Sequence, residues 1–434
     1  MDKMADVLGR AGAWCGQNKY LSAIKNAFQN FMPLTIAGAI GVLWCNVLVN
    51  DQTGLGLFFK PIMALDFLNP AFQAVNFCTI SCITVGITLG IAQEIGVWNM
   101  GAERAGYIPG LVGLAAWLSV TNTSHMVDGA KEAFTGIAGN ELGATGLFTG
   151  MIIGVLSVEL FCFFEKQDAL KIKMPEQVPP GVARAFEVLV PATITLIITA
   201  CIGSACYNLT GLYLNDVIKN GIQGPLGAVG ATIPGVMIIY LVIMLFWLVG
   251  IHGNNMLSAV KEALFTPLAL ENVEAFNKGE TPKNIINMYA LQMWGEFGGS
   301  GVTIGLVIAI MIFGKREDNK AIATLSLVPG LFNISETVTF GIPMVLNPIL
   351  GIPFVVAPLV TIIIGYVLTV IGFCPVACLT VPWTTPPIVF GFLATGANVM
   401  GAVTQAILIV VSTVIYVPFL ISYEKYQNKQ AAEA

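Results

Sequence analysis

Charge is what this sequence has least of. Lys, Arg, Asp and Glu together make up 10% of its 434 residues, where soluble chains carry roughly a quarter. Set against 56% hydrophobic residues and a mean hydropathy of +0.80, that shortage excludes a soluble globular domain. Histidine is scarcer still, at two copies. With no spaced His or Cys ligands beside them, the usual three protein ligands of a catalytic zinc are missing, and neither a metal nor a cofactor is expected. The cysteines that fall inside apolar runs (Cys45, Cys78, Cys82, Cys162, Cys201, Cys206) have no disulfide or zinc-ligand spacing and read as small core residues. The first thirty residues, MDKMADVLGRAGAWCGQNKYLSAIKNAFQN, lack the basic patch, apolar run and cleavage site of a signal peptide. They read instead as an amphipathic segment on a membrane face. Net charge is −5, and no nucleic-acid partner is expected.

What is present in abundance is long apolar sequence. A bilayer core takes about 20 apolar residues to cross. Phe31–Asn50, Ala71–Ala92, Leu147–Phe164, Phe186–Leu209, Ala231–Ile251, Pro353–Phe373 and Ala402–Ile421 reach or approach that length, while Tyr107–Val120 and Val302–Phe313 are shorter. The chain is therefore an all-α polytopic membrane protein.

Its few basic residues are informative by position. Lys3, Arg10, Lys19 and Lys25 precede the first span, and Lys166, Lys171, Lys173 and Arg184 share one loop. Lys315, Arg316 and Lys320 share another, and Lys425 and Lys429 follow the last span. The positive-inside rule makes all four places cytoplasmic. Four candidate spans between the first two clusters satisfy this, but three between Arg184 and Lys315 do not. Either a segment there enters and leaves on one side, the preferred solution, or a crossing is hidden in Asn254–Ser300. That stretch holds GEFGGSG (Gly295–Gly301), backbone tolerated at membrane depth only where protein or a watery cavity surrounds it.

Polar islands mark where function sits. FNISETVTF (Phe332–Phe340) places Asn333, Ser335, Glu336, Thr337 and Thr339 between Pro329-Gly330 and Pro343, Pro348 and Pro353, which argues against one continuous helix. The spacing predicts a broken helix tip with Asn333 and Glu336 one turn apart on one face. An intramembrane carboxylate is costly and a functional candidate; the alternative is an interfacial loop with Glu336 in headgroup water. FWLVGIHGNN (Phe246–Asn255) carries Trp247 and His252, either site residues or members of an interfacial belt. CPVACLTVPWTTPP (Cys374–Pro387) carries Trp383. Aromatic rings beside carboxylate, amide and imidazole groups suit a sugar, but other polar solutes fit as well. Residue chemistry stops at a polar-solute transporter, and an ion-coupled secondary transporter stays open.

Several segments carry a resemblance. KMPEQVPPGVARAFEVLVP (Lys173–Pro191), LFWLVGIHG (Leu245–Gly253), FGGSGVTIGL (Phe297–Leu306) and FNISETVTFGIPMVLNPILGIPFVVAPL (Phe332–Leu359), with AIKNAFQNFMPLTIAGA (Ala23–Ala39) and VPWTTP, succeed one another in order. Together they resemble enzyme IIC, the permease of the bacterial phosphoenolpyruvate-dependent sugar phosphotransferase system, in its lactose/cellobiose/diacetylchitobiose branch. The family's usual Asn-x-Asn-Glu-Pro run is matched at Asn333 and Glu336, whereas Ser335 and Thr337 depart from it, which leaves the identity of the sugar open.

The resemblance implies a homodimer in the inner membrane with both termini cytoplasmic. Each subunit would have about ten transmembrane helices, two re-entrant hairpins and amphipathic surface helices. Residues 1–185 would form the dimerisation and scaffold half and residues 186–434 the sugar-binding half. A β-linked disaccharide of cellobiose or diacetylchitobiose type would be carried and phosphorylated on its 6-hydroxyl. The donor would be a phosphocysteine on enzyme IIB, itself served by enzyme IIA and the phosphocarrier protein. Only SYEKYQNKQAAEA follows the last apolar run, so IIB is expected as a partner chain. Glu336 and His252 would be the catalytic groups at the reacting end of the sugar. Trp247 and Trp383 would pack on its rings, and Asn333, Gly299 and Ser300 would complete the site.

Overall fold

The computed structural model describes all residues except 1–9, 11–13, 15–16, 52–54, 58, 126–133, 176, 226–229, 343 and 434, and the side chains of Leu57 and Asn140. Lys3, Pro343 and most of the amphipathic segment before Gln17 therefore lie outside the described residues.

Among the described residues helix is the only structure of any length, as lipid requires of backbone that must pair its own polar groups. Each of the nine apolar runs falls on helix. In chain order the principal helices are α1 (Lys19–Leu43), α2 (Ile83–Met100), α3 (Ile108–Val120), α4 (Ala144–Glu165) and α5 (Pro180–Thr210). They continue with α6 (Ile233–Leu248), α7 (Ser258–Asn277), α8 (Met288–Gly295), α9 (Ile304–Phe313) and α10 (Glu317–Leu331). The last four are α11 (Glu336–Gly341), α12 (Gly351–Val370), α13 (Val389–Ala394) and α14 (Val399–Glu433). Among the described residues five helices are long and apolar enough to cross a membrane, or up to seven if each of two bent pairs is one span. The protein is a multi-pass membrane protein. The run Ala71–Ala92 is not one straight rod: Lys60–Ser81 meets Ile83–Met100 at 43°, and a π-turn at Phe77–Ser81 stands just before the break.

The chain divides into two compact units. One comprises Gln17–Gly38 and Val75–Ala228. Its helices approach closely through small residues: a side-chain carbon added at Gly113 would lie 2.3 Å from Ala92 Cβ, and one at Gly96 would lie 2.2 Å from Pro109 Cβ. Small residues are what helices use when apolar transfer gives no drive for association in lipid. Several acidic side chains here are partnered by cations or amides. Glu165 sits between Arg104 at 2.8 Å and Arg184 at 2.9 Å, and Glu94 accepts from Asn26 Nδ2 at 2.9 Å. On α5, Leu189, Ile197, Ile202 and Leu209 are exposed, an apolar face suited to lipid.

The other unit is formed mainly by Ala39–Ala74 and Val229–Ala434, and two helical hairpins organise it. In the first, α7 runs back along α6. Lys261 Nζ lies 5.6 Å from the Tyr240 ring centroid. A side-chain carbon at Gly253 would lie 2.0 Å from the Ile243 carbonyl oxygen, and one at Gly230 would lie 3.4 Å from Leu264. The reversal needs Gly250 at φ +80°, which only glycine adopts without cost. In the second, α11 folds back on α10, so a carbon at Gly341 would lie 2.7 Å from Ile322. Between them, Met288–Val302, which contains α8 and the glycine-rich turn, meets α9 at 59°.

Candidate functional site

The tips of the two hairpins meet. At the first, His252 caps the short helix Gly253–Met256, its Nδ1 accepting from the Asn255 amide at 3.2 Å. A nitrogen that accepts cannot carry the proton, so the neutral ring holds its proton on Nε2. That nitrogen lies 3.6 Å from Glu336 Oε1, the first residue of α11, and both side chains are partly exposed. Trp247 lies beneath the imidazole, ring centroids 4.4 Å apart, and its ring stands nearly perpendicular to that of Phe354. It is 2% exposed. The tips are also joined by backbone: the Leu346 amide donates to the Leu248 carbonyl at 2.8 Å.

The glycine-rich turn packs against the second tip. Gly298, Gly299 and Gly301 have φ of +68°, +86° and +75°. A side-chain carbon on Gly299 would lie 2.6 Å from Ser335 Cβ and 2.9 Å from the Asn333 carbonyl oxygen. Sequence pattern and close packing thus agree on why glycine stands there. Asn333 Oδ1 accepts from the Gly298 amide at 2.6 Å, while its Nδ2 donates to the Trp383 carbonyl and, at 3.0 Å, to the Thr385 carbonyl. Ser335 Oγ accepts from the Ser300 amide at 3.2 Å. On the far side the Tyr416 hydroxyl donates to the Gly301 carbonyl at 2.8 Å.

The site residues expected from the sequence are thus placed unequally. His252, Glu336 and Trp247 come together. Asn333 and Glu336 do not share a helix face as their spacing predicts, because Asn333 precedes α11 in the left-handed region at φ +62°, which Asn tolerates better than most residues. With both amide donors given to backbone carbonyls, Asn333 fastens three segments. Gly299 and Ser300 are held by that same fastening, and Ser300 is buried. Trp383 is half-exposed, and its main chain is held by Asn333.

Residue reasoning missed three contributors. Ser335, counted among the polar residues of its island but not as a site residue, anchors the turn. Asn254, inside the quoted FWLVGIHGNN island, donates to Ser300 Oγ at 3.3 Å. Glu296, inside the quoted GEFGGSG, pairs with Lys261 and accepts from the Tyr240 hydroxyl at 2.7 Å. The signal for that pair was two opposite charges in an apolar region, but nothing local says that they meet. A third carboxylate, Glu262, accepts from Thr266 Oγ1. Glu336 is the carboxylate of this region that faces an imidazole.

Paired broken helices, a carboxylate–imidazole pair and flanking indoles define a membrane transporter for a polar solute. The chain belongs to the EIIC family of the phosphotransferase system, whose family model matches residues 25–358. It is a permease component of that sugar-transport system. It is 32% identical to the oligo-beta-mannoside-specific EIIC component of Bacillus subtilis (strain 168), over 98% of this chain and 94% of that protein. It is 30% identical to the cellobiose-specific EIIC component of Lactococcus lactis subsp. lactis (strain IL1403), over 98% of both. The solved structure of ChbC, the IIC component from the N,N'-diacetylchitobiose-specific phosphotransferase system, superposes with a TM-score of 0.88 at 29% identity, covering 97% of each chain.

Proposed function

We propose that this chain carries a β-linked disaccharide across the membrane and presents its 6-hydroxyl to phosphorylated enzyme IIB. The His252–Glu336 geometry carries the reading. A hydroxyl oxygen seated about 2.8 Å from each group, an ordinary hydrogen-bond distance, accepts from His252 Nε2–H and donates to Glu336 Oε1. Its lone pair is then free to attack phosphorus. The O–P bond forms as the S–P bond to the IIB cysteine breaks, the thiolate leaves, and the hydroxyl proton passes to Glu336. Positioning and electrostatics supply most of the catalysis in phosphoryl transfer. Trp247 sets the plane of His252 from below, and Trp383 offers an exposed ring to the sugar. Asn333, Gly299 and Ser300 shape the wall through backbone.

The same reading takes residues 1–185 as the scaffold and dimerisation half and residues 186–434 as the transport half. It also takes the subunit as one of two in a homodimer embedded in lipid. The termini and the loops Lys166–Arg184 and Lys315–Lys320 are cytoplasmic, supported by their basic residues. The two hairpins are taken as re-entrant, supported by polar tips between prolines and glycines, beside about ten membrane-crossing helices.

Membrane vesicles holding this protein, supplied with labelled cellobiose or diacetylchitobiose and phosphorylated IIB, test the proposal. Accumulation as a phosphate ester, dependent on phosphorylated IIB, is expected. Accumulation of unmodified sugar without IIB overturns it.

A further inference from the structure

The buried cluster Lys261–Glu296–Tyr240 takes no part in the chemistry above, yet it joins the elements that perform it. Lys261 is on α7 and Tyr240 on α6, the two arms of the hairpin whose tip is His252. Glu296 follows α8 directly, and its carbonyl accepts from the Gly299 amide at 3.0 Å. Lys261 is 6% and Tyr240 1% exposed, and Glu296 is largely covered. Burying an ion pair is weak support for stability, since its desolvation offsets most of its attraction. Inside a membrane unit such a pair is a functional candidate.

We propose that Lys261 and Glu296, with Tyr240, are positioning residues that clasp the glycine-rich turn to the His252 hairpin. The turn is fastened to the Glu336 hairpin by Asn333 and Ser335. The clasp closes the circuit: first hairpin, turn, second hairpin. The 3.6 Å separation of His252 and Glu336 is then set on both sides of the turn, and a loosened clasp lets one tip move relative to the other. The Lys261 charge and the Tyr240 hydroxyl also occupy Glu296, leaving Glu336 as the carboxylate open to substrate. This assignment rests on the proposed sugar site, but the clasp has a readout that needs no sugar.

Single changes leave one charge buried and alone, and they risk misfolding. The decisive variant is therefore Lys261→Met/Glu296→Gln, which keeps shape and the Tyr240 acceptor and leaves no unpaired charge. It is expected to fold as a membrane protein with a melting temperature near that of the wild type. Hydrogen exchange of the peptide spanning residues 297–301 should quicken at least about tenfold. Disaccharide binding by calorimetry should weaken about tenfold, and phosphorylation of bound sugar by phospho-IIB should fall further. Lys278→Met, which breaks an exposed pair with Glu274, should change none of these. Wild-type exchange at 297–301 in the double variant overturns the clasp whatever the sugar proves to be. Faster exchange with unchanged binding and turnover overturns its positioning role. Failure of the wild-type protein to bind any β-disaccharide counts against the sugar reading alone, and the exchange result still judges the clasp.

Discussion

With Nδ1 accepting from the Asn255 amide, neutral His252 has one proton to offer, and Glu336 is the group in front of it. Glu336→Gln keeps volume and hydrogen bonding but removes basicity. It should lower phosphorylation by phospho-IIB about 10²–10⁴-fold, the range of a lost general base, while binding changes little, since a transition-state group acts on rate more than affinity. Glu336→Ala should weaken both. Wild-type turnover by the Gln variant, measured in vesicles, would remove the base role. The two indoles should part company in the same assays. Trp383 is half-exposed, so Trp383→Ala should weaken sugar binding by roughly 1–3 kcal/mol without touching stability. Trp247 is buried under His252 and against Phe354. Trp247→Ala should therefore also cost about 3–5 kcal/mol of stability through the cavity it leaves. Equal melting temperatures for the two variants would contradict this.

Between elements, the fastenings are few and polar. The α14 carboxylate Glu424, 6% exposed, accepts from the Lys315 amide at 2.8 Å, the Arg316 amide at 3.3 Å and Asn319 Nδ2 at 3.1 Å. It caps the start of α10 from another helix. Glu424→Gln turns an amide toward those donors and should destabilise the protein by about 1–3 kcal/mol, seen as a lower melting temperature in detergent. Gly299→Ala should act on the other side of the same unit. Its φ of +86° and the 2.6 Å approach to Ser335 Cβ both oppose a methyl group, and strain of about 1–3 kcal/mol should appear as weakened sugar binding. How far such links could be read in the sequence follows their locality. Apolar runs announce helices because lipid demands apolar surface and paired backbone over a fixed length. The glycines and prolines announce the breaks because their φ preferences are local. Asn333 misleads because helical spacing assumes helical φ, and its own is +62°. Ser335 with Ser300, and Lys261 with Glu296, are separated by 35 residues in each case. No local pattern encodes such partners.

For the whole molecule, the open quantity is the path across the bilayer between Arg184 and Lys315, where an odd number of apolar runs meets basic residues expected on one side. The structure offers a physical solution. Because α7 returns along α6, the pair brings the chain back to the side from which α6 set out, whether its tip stops inside the membrane or passes through. The 59° bend between Met288–Val302 and α9 is far from a reversal, so the proposed topology takes α8 and α9 together as one broken crossing. With Arg184 inside, α5 leads out, the α6–α7 hairpin returns outward, and α8–α9 lead in to Lys315. The exposed loop Gly279–Lys283 is then external, although it carries Lys283. Single cysteines placed at Thr281 and Lys320, in a protein whose native thiols are removed, decide the matter in intact cells. A membrane-impermeant maleimide should label Thr281→Cys and leave Lys320→Cys untouched until the cells are opened. Labelling of both from outside would place the basic loop on the wrong side and reject the positive-inside assignment. Labelling of neither would put Gly279–Lys283 in the cytoplasm, make α8–α9 the segment that enters and leaves on one side, and reject the hairpin as the source of the parity.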